Sequence, residues 1–360
     1  MILAVLLTAI LVQGLPALSW GFVNSPPSAS PEKAGIQPAL FGSLWVCGVC
    51  ALFALPIGVA TAILLEEFKP RSRVMRLLHG FVQVNISNLA GVPSVVYGII
   101  GLTAFAGMFG LLGNVNQPAV EVGARYFDQF VSEGNRILLV PVAGVSSPSV
   151  EPRSGMIATV SSGHRIKVNV IGPRGPLPEE PKLRAFTLRT DAEAGRIGRK
   201  SWYYFRFPFG RGVLAGGLTL MLVVLPIVII ASQESLRAVP DSLREGSLAM
   251  GATRWQTVQD ITLRAAMPGI MTGSILAMSR AIGEAAPILI ICGIVYIASQ
   301  PGNLMDDFSV MPLQIFNWAA RPQQEFHTVA SKGIIVLLAV LLSFNALAVL
   351  IRNKLQKPLT

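Results

Sequence analysis

Arg280 and Glu284 stand four residues apart inside a long apolar run, Pro268 to Ser299. A helix brings that spacing onto one face. An ionised side chain at the centre of a bilayer costs at least about 2.5–3.5 kcal/mol on insertion scales, so it turns to the protein interior. Arg280 lies 11 residues beyond Gly269. On a continuous helix that is about 16 Å, near the middle of a hydrocarbon core about 30 Å thick. A guanidinium there offers positive charge and two parallel donors, which suits an oxyanion. Glu284 would hold it in place; the competing reading is a self-neutralising structural pair. Arg237, beside Glu234 at the end of another apolar run, is either a basic anchor or part of the inner mouth of the same path.

Other constellations carry less. Cys47-Gly-Val-Cys50 has the spacing of half a redox or metal site, but it sits in an apolar run. No second cysteine pair or nearby histidine completes it. Two small buried residues in a helix are expected, and Cys292 is read the same way. His79, His164 and His327 are scattered. Gly195-Arg-Ile-Gly198-Arg-Lys-Ser201 looks like a phosphate-binding loop but lacks the required spacing between glycines. No metal cluster, triad or nucleotide fingerprint is expected, so this chain is expected to hold no cofactor and to be no enzyme. No nucleic-acid partner is expected either.

The elements that position these residues follow from composition. The 360 residues are 52% hydrophobic and 13% charged, with mean hydropathy +0.58. Soluble domains carry about 25% charged residues, so the chain is read as an all-α polytopic membrane protein. A spanning helix needs about 20 mostly apolar residues. Six stretches qualify: Ile2–Trp20, Leu40–Leu65, Ser87–Leu112, Gly212–Ser232, Pro268–Ser299 and Lys332–Ile351. The first, which could instead be a cleaved leader, lacks a convincing small-residue cleavage site. Gly91, Pro93, Gly98 and Gly101 in the third are read as sites of close helix approach rather than of a break.

Basic residues orient the spans. Arg237, Arg244, Arg254 and Arg264 fall in the loop 233–267, and Arg352, Lys354 and Lys357 follow the last span. Lys69, Arg71, Arg73 and Arg76 follow the second span, whereas the opposite short loops have only Lys33 and Arg321. Both termini and the 233–267 loop are therefore expected in the cytoplasm. Three parts result: residues 1–112, an extracytoplasmic insertion 113–211, and residues 212–360. The insertion has 14 Lys or Arg against 8 Asp or Glu, net +6. Long loops translocate largely regardless of charge. Arg136–Val145, Gly155–Val160, Arg165–Gly172 and Trp202–Phe209 read as strands, so the insertion is expected to be β-rich.

Asp241 to Ile270 is polar yet carries helix-start chemistry twice. Ser242-Leu-Arg-Glu245 and Thr253-Arg-Trp-Gln256 both fit a capping box. Gly251 between them fits a helix C-terminal glycine, and Pro268-Gly269 is expected to open the fifth span. An amphipathic helix lying on membrane lipid is one reading. The stretch is too polar and glycine-rich for strong lipid binding, so a docking element for a partner is preferred.

The stretch resembles the E-A-A-x3-G-x9-I-x-L-P motif in permease subunits of ABC importers. Glu245, Gly251, Ile261 and Leu263 stand at full spacing. Gly246-Ser247 replaces Ala-Ala, and Arg264 replaces Pro. Asn88–Gly98, Leu214–Leu220, Leu236–Pro240 and Arg280–Pro287 resemble the phosphate-transport, or PstA, branch. The insertion is outside the family pattern. The resemblance implies the type I (MetI-like) permease fold in a bacterial inner membrane. It implies ATPase docking through Glu245, Gly246, Ser247, Gly251, Trp255 and Ile261. It implies a substrate path with Arg280, Glu284 and Arg237. The implied partners are the permease PstC, a dimer of the ATPase PstB that binds ATP and Mg, and the binding protein PstS. Alternatives are a molybdate or sulfate permease, or a membrane sensor or scaffold whose insertion binds an external ligand.

Overall fold

The computed structural model describes residues 2–70, 72–111, 113–114, 117–118, 120–127, 129–133, 136–140, 156–160, 165–168, 185–186, 195–293, 297 and 299–355. The chain divides into two compact units. One comprises Met1–Phe105, Arg211–Pro301 and Asp307–Thr360; the other comprises Ala106–Gly210 and Gly302–Asp306.

The first unit is helical. Its helices are α1 (Ile2–Gly14), α2 (Trp20–Asn24), α3 (Gln37–Glu67), α4 (Arg73–Leu89), α5 (Ser94–Gly101), α6 (Val213–Arg237), α7 (Asp241–Ala249) and α8 (Arg254–Gln256). They are followed by α9 (Leu263–Gly283), α10 (Ala286–Cys292), α11 (Met311–Ala319) and α12 (Gln324–Leu355). Among the described residues, four helical stretches are long and apolar enough to cross a bilayer: Gln37–Glu67, Val213–Arg237, Arg254–Gly283 and Gln324–Lys354. A bent pair, Arg73–Leu89 with Ser94–Ala106, makes a fifth if taken as one broken span. The first expected span is only the 13-residue α1, about 20 Å long against a core of about 30 Å.

Helix α6 is the hub, with most of its apolar stretch buried, whereas little of that of α12 is. It packs on α3, α5 and α9. The α6–α9 contact is close because small residues face each other. A Cβ at Gly269 would come 2.6 Å from Ser235 Oγ, and one at Gly273 would press on the Ala231 methyl. The pairs step in opposite directions, so the helices run antiparallel. Small residues at i and i+4 on both helices let the backbones approach, which is how helices associate in lipid. Polar contacts supplement this. Gln83 on α4 and Gln233 on α6 exchange side-chain amide bonds of 3.3 and 3.2 Å. Ser279 on α9 donates to Asn345 on α12, and Arg352 donates to Thr272 Oγ1 at 3.0 Å.

Two expected spans are discontinuous. The third, expected unbroken over Ser87–Leu112, bends by 109° between α4 and α5. Pro93 disfavours helical dihedrals at Val92, and the Tyr97 hydroxyl donates to the Leu89 carbonyl across the break at 2.6 Å. Gly91 and Pro93 thus mark a break, whereas Gly98 does serve close approach: its Cβ would come 2.9 Å from Pro287 Cα on α10. The fifth span is also displaced. Its helix does not open at Pro268, which lies inside α9, but runs from Arg254 through a π-helical turn, Thr257–Thr262, to Gly283. Neighbouring groups in a helix bundle re-satisfy the bond that an internal proline removes. The chain then breaks at Glu284, which is extended (φ −76°, ψ 118°), before α10. Residues 294–296 and 298 of that expected span lie outside the described residues.

The second unit contains nine described strands: β1 (Gly113–Asn114), β2 (Gln117–Pro118), β3 (Val120–Phe127), β4 (Gln129–Glu133), β5 (Arg136–Val140), β6 (Met156–Val160), β7 (Arg165–Val168), β8 (Ala185–Phe186) and β9 (Gly195–Phe207). They pair antiparallel in the orders β3-β9-β6-β7, β4-β5-β8 and β1-β2. Of the stretches expected as strands, residues 141–145, 155 and 169–172 lie outside the described residues. Gly195–Ser201 lies within β9, an extended geometry rather than a loop opening a helix.

The α6–α9 contact yields a direct test. Gly273→Ala should lower the thermal-unfolding midpoint of the purified protein in detergent, by an overpacking cost of about 1–3 kcal/mol. Gly48→Ala on α3, where a Cβ meets nothing within 4 Å, should leave it unchanged or raise it.

Candidate functional site

Arg280 stands in the last turn of α9, three residues before the helix stops. Its Nε donates to Glu284 Oε1 at 3.1 Å. The bond survives although Glu284 is extended rather than helical, so the expected pairing holds while the expected shared helix face does not. The Arg280 side chain is 55% exposed and that of Glu284 is 16% exposed. The carboxylate is thus sheltered and the guanidinium half exposed, so Arg280 does not turn wholly to the protein interior as its place in an apolar run leads one to expect. The pair sits at the α9–α10 break, and α10 packs on α5 just beyond the other break. Discontinuous helices that meet in this way line substrate sites in many transporters.

Arg237 does not pair with Glu234. Its Nε donates to Glu66 Oε2 at 2.8 Å, from the last turn of α3. Lys69 Nζ bonds the other oxygen of Glu66 at 3.1 Å. The partner was missed because it is 171 residues away. The adjacent glutamates after L-L were a visible signal, because acids at the end of an apolar run must find partners.

The polar stretch 241–262 folds as two short helical pieces around a turn. Gly251 has φ +89°, and the Ala252 amide donates back to the Ser247 carbonyl at 3.2 Å. A positive φ costs a Cβ-bearing residue about 1–2 kcal/mol, and glycine avoids it. The second capping box forms: Thr253 accepts from the Gln256 amide at 3.3 Å, and Gln256 Oε1 accepts from the Thr253 amide at 2.8 Å. The first does not form. Helix α7 follows Pro240 with no side-chain cap, and neither Ser242 nor Glu245 closes a box. Arg244 organises this end instead. It donates to the carbonyls of Leu236 and Val239, each at 2.7 Å, and to Asp241 and Glu67, each at 2.9 Å. The carbonyls left open where α6 ends thereby gain a cationic donor.

The residues expected to meet a partner divide by exposure. Glu245, Gly246, Gly251 and Trp255 are exposed, and Ile261 is half-buried. Leu243, Leu248 and Met250 add exposed apolar surface. The Trp255 ring lies 6.3 Å from that of Phe68, beside the end of α3. Ser247 is buried, and its hydroxyl shares a 3.1 Å hydrogen bond with Thr257. Serine in place of alanine thus staples α7 to the π-helical turn. Arg264, in place of proline, forms an exposed 3.4 Å pair with Asp260. Cys47, Cys50 and Cys292 are buried and unbridged. Among the described residues no group of His, Cys, Asp or Glu has metal-site geometry.

Comparison with known proteins decides the class. The family described as binding-protein-dependent transport system inner membrane component matches residues 54–357. The chain belongs to this family. It is a multi-pass inner-membrane permease component of an ABC transporter and not a catalyst; a separate ATPase hydrolyses ATP. The probable ABC transporter permease protein YqgI of Bacillus subtilis is 23% identical over 371 residues, covering 100% of this chain and 92% of the relative. The phosphate transport system permease protein PstA of Xylella fastidiosa (strain Temecula1) is 36% identical over 144 residues, covering 39% of this chain and 49% of the relative. The match thus spans about half the length of that phosphate permease. A solved structure of the MetNI methionine ABC transporter, inward facing, matches with a TM-score of 0.50 at 12% identity, over 89% of this chain and 95% of that one. This likeness concerns the fold.

The turn at Gly251 and the face of α7 give opposite responses to one change. Gly246→Ala should stabilise α7 by about 0.5–1 kcal/mol, because the position is a helix interior and a Cβ there meets nothing within 4 Å. Gly251→Ala should destabilise the turn by about 1–2 kcal/mol through its positive φ. Backbone hydrogen exchange over residues 241–257, slower in the first variant and faster in the second, checks both.

Proposed function

We propose that this chain is the PstA-type permease subunit of an ATP-driven phosphate importer. It supplies half of the translocation path and couples it to a separate ATPase. The observation that carries the reading is the Arg280–Glu284 pair: a half-exposed guanidinium, bonded to a sheltered carboxylate, at the break between α9 and α10. A fork of N–H donors matches a tetrahedral oxyanion better than a point charge does. The PstA relatives support phosphate as that oxyanion, with identities of 34–37% over their matched segments.

In this reading the four long helices, the bent pair and α1 continued by the apolar residues up to Trp20 make six passages, with both termini and the 233–267 loop cytoplasmic. The pairs Glu66–Arg237 and Glu67–Arg244 support that orientation, because they gather the ends of α3 and α6 and the start of α7 at one end of the helical unit. The described strands β1 to β9 belong to an extracytoplasmic insertion, residues 113–211. Arg280, Glu284 and, at the inner mouth, Arg237 serve the path. Glu245, Gly246, Ser247, Gly251, Trp255 and Ile261 belong to the coupling loop of E-A-A type, on which a PstB dimer carrying ATP and Mg docks. PstC is the second permease, and PstS delivers phosphate.

Arg280→Gln should lower ATP-driven phosphate uptake by at least about tenfold, since a charge-assisted bond is worth about 1.5–3 kcal/mol. The variant should still co-purify with its ATPase. Uptake at the normal rate in proteoliposomes would overturn the role of Arg280. A wild-type complex that moves sulfate or molybdate but no phosphate would overturn the substrate.

A further inference from the structure

We propose that Glu66 and Glu67 form an ionic relay, linking movement of the α7 docking helix to the availability of Arg237 for an oxyanion. This rests on the proposed function and deepens it.

Adjacent residues on a helix point about 100° apart, so two neighbouring carboxylates reach two different partners. Here Glu66 takes Arg237, together with Lys69 from three residues on, and Glu67 takes Arg244. Both carboxylates are nearly sheltered, with side chains 9% and 11% exposed. Sheltered pairs are screened less by salt than surface pairs are. Arg244 is the rigid member. One planar guanidinium bonds Glu67 on α3, the Leu236 carbonyl at the end of α6, the Val239 carbonyl in the connector and Asp241 on α7. A displacement of α7 therefore strains Glu67 and the α6 terminus together. Leu236 immediately precedes Arg237, so the same displacement acts on the Glu66–Arg237 bond from both sides.

The two arginines differ in what remains free. Arg244 is 19% exposed and is bonded on both terminal nitrogens. Arg237 is 55% exposed and meets Glu66 through Nε. A bound carboxylate and an arriving oxyanion compete for the same positive group. Drawing Glu66 away raises the positive potential at the inner mouth, and returning it repels the anion. Arg244, Glu67 and Glu66 are thus positioning residues, and Arg237 is the group they expose or cover.

The test uses the full complex of this chain, its second permease and its ATPase in proteoliposomes with the loaded binding protein. Phosphate moved per ATP hydrolysed is measured, together with the ratio of binding-protein-stimulated to basal hydrolysis. Arg244→Gln, Glu67→Gln and Glu66→Gln should each lower both ratios by at least about fivefold, the lower end of ordinary coupling between sites, while the ATPase still co-purifies. Groups acting through one chain of contacts are non-additive. The double variant Glu66→Gln with Arg244→Gln should therefore fall no further than the worse single variant. Unchanged ratios, multiplying effects in the double variant, or loss of the ATPase from the complex would each overturn the relay. A wild-type complex that moves no phosphate counts against the proposed substrate, and the hydrolysis ratio then judges the relay.

Discussion

The close packing of α6, on α9 through Gly269 and Gly273 against Ser235 and Ala231 and on α3 through Gly58 and Gly217, is the constraint on which the rest of the helical unit depends. In lipid no hydrophobic effect draws helices together, because acyl chains are as apolar as leucine. Association rests on van der Waals contact, and dispersion falls off within a fraction of an ångström of the optimal separation. Small side chains at matching spacing let two backbones reach that distance. Helix α6 also meets α5, so one buried helix sets the positions of three others. Arg280 near the end of α9 and Arg237 at the end of α6 are thereby mounted on one packed pair.

That arrangement has a mechanical consequence. The helix containing α9 begins at Arg254, inside the polar stretch, and continues into the apolar region without a stop. Its first turns carry Trp255 and the π-helical turn bonded to Ser247. A partner pressing on this stretch acts on the same rod that holds Arg280. Helix α7 is connected separately, through Arg244, to the ends of α3 and α6. Two connections therefore run from the exposed face of the 241–262 stretch, one along α9 and one through the paired glutamates. Both rely on polar groups that have found partners, since an unpaired charge in a low-dielectric setting is costly.

The two helix breaks belong to the same logic. An apolar segment can be interrupted at membrane depth only where neighbouring protein meets its open backbone groups. The Tyr97 hydroxyl does this for Leu89. Helices α5 and α10, each following a break, pack together. The Arg280–Glu284 bond then lies where the backbone has already left helical geometry, so the carboxylate comes from a fixed corner of the chain.

The sequence by itself determined what depends on neighbours along the chain. The apolar runs, the polar helical stretch between two of them, the turn at Gly251 and the capping box at Thr253 were all legible, because their causes lie within a few residues. The Arg280–Glu284 pairing was legible for the same reason. The tertiary structure decided the rest. It replaced the first capping box with Arg244, whose partner Glu67 is 177 residues away. It gave Arg237 to Glu66 rather than to Glu234, and it turned Ser247 from a departure into a staple. It broke the third and fifth apolar runs, which periodicity alone leaves continuous. Hydrophobicity reports how favourable a segment is in lipid, but a bend or a long-range ion pair is chosen by the groups that packing brings within reach.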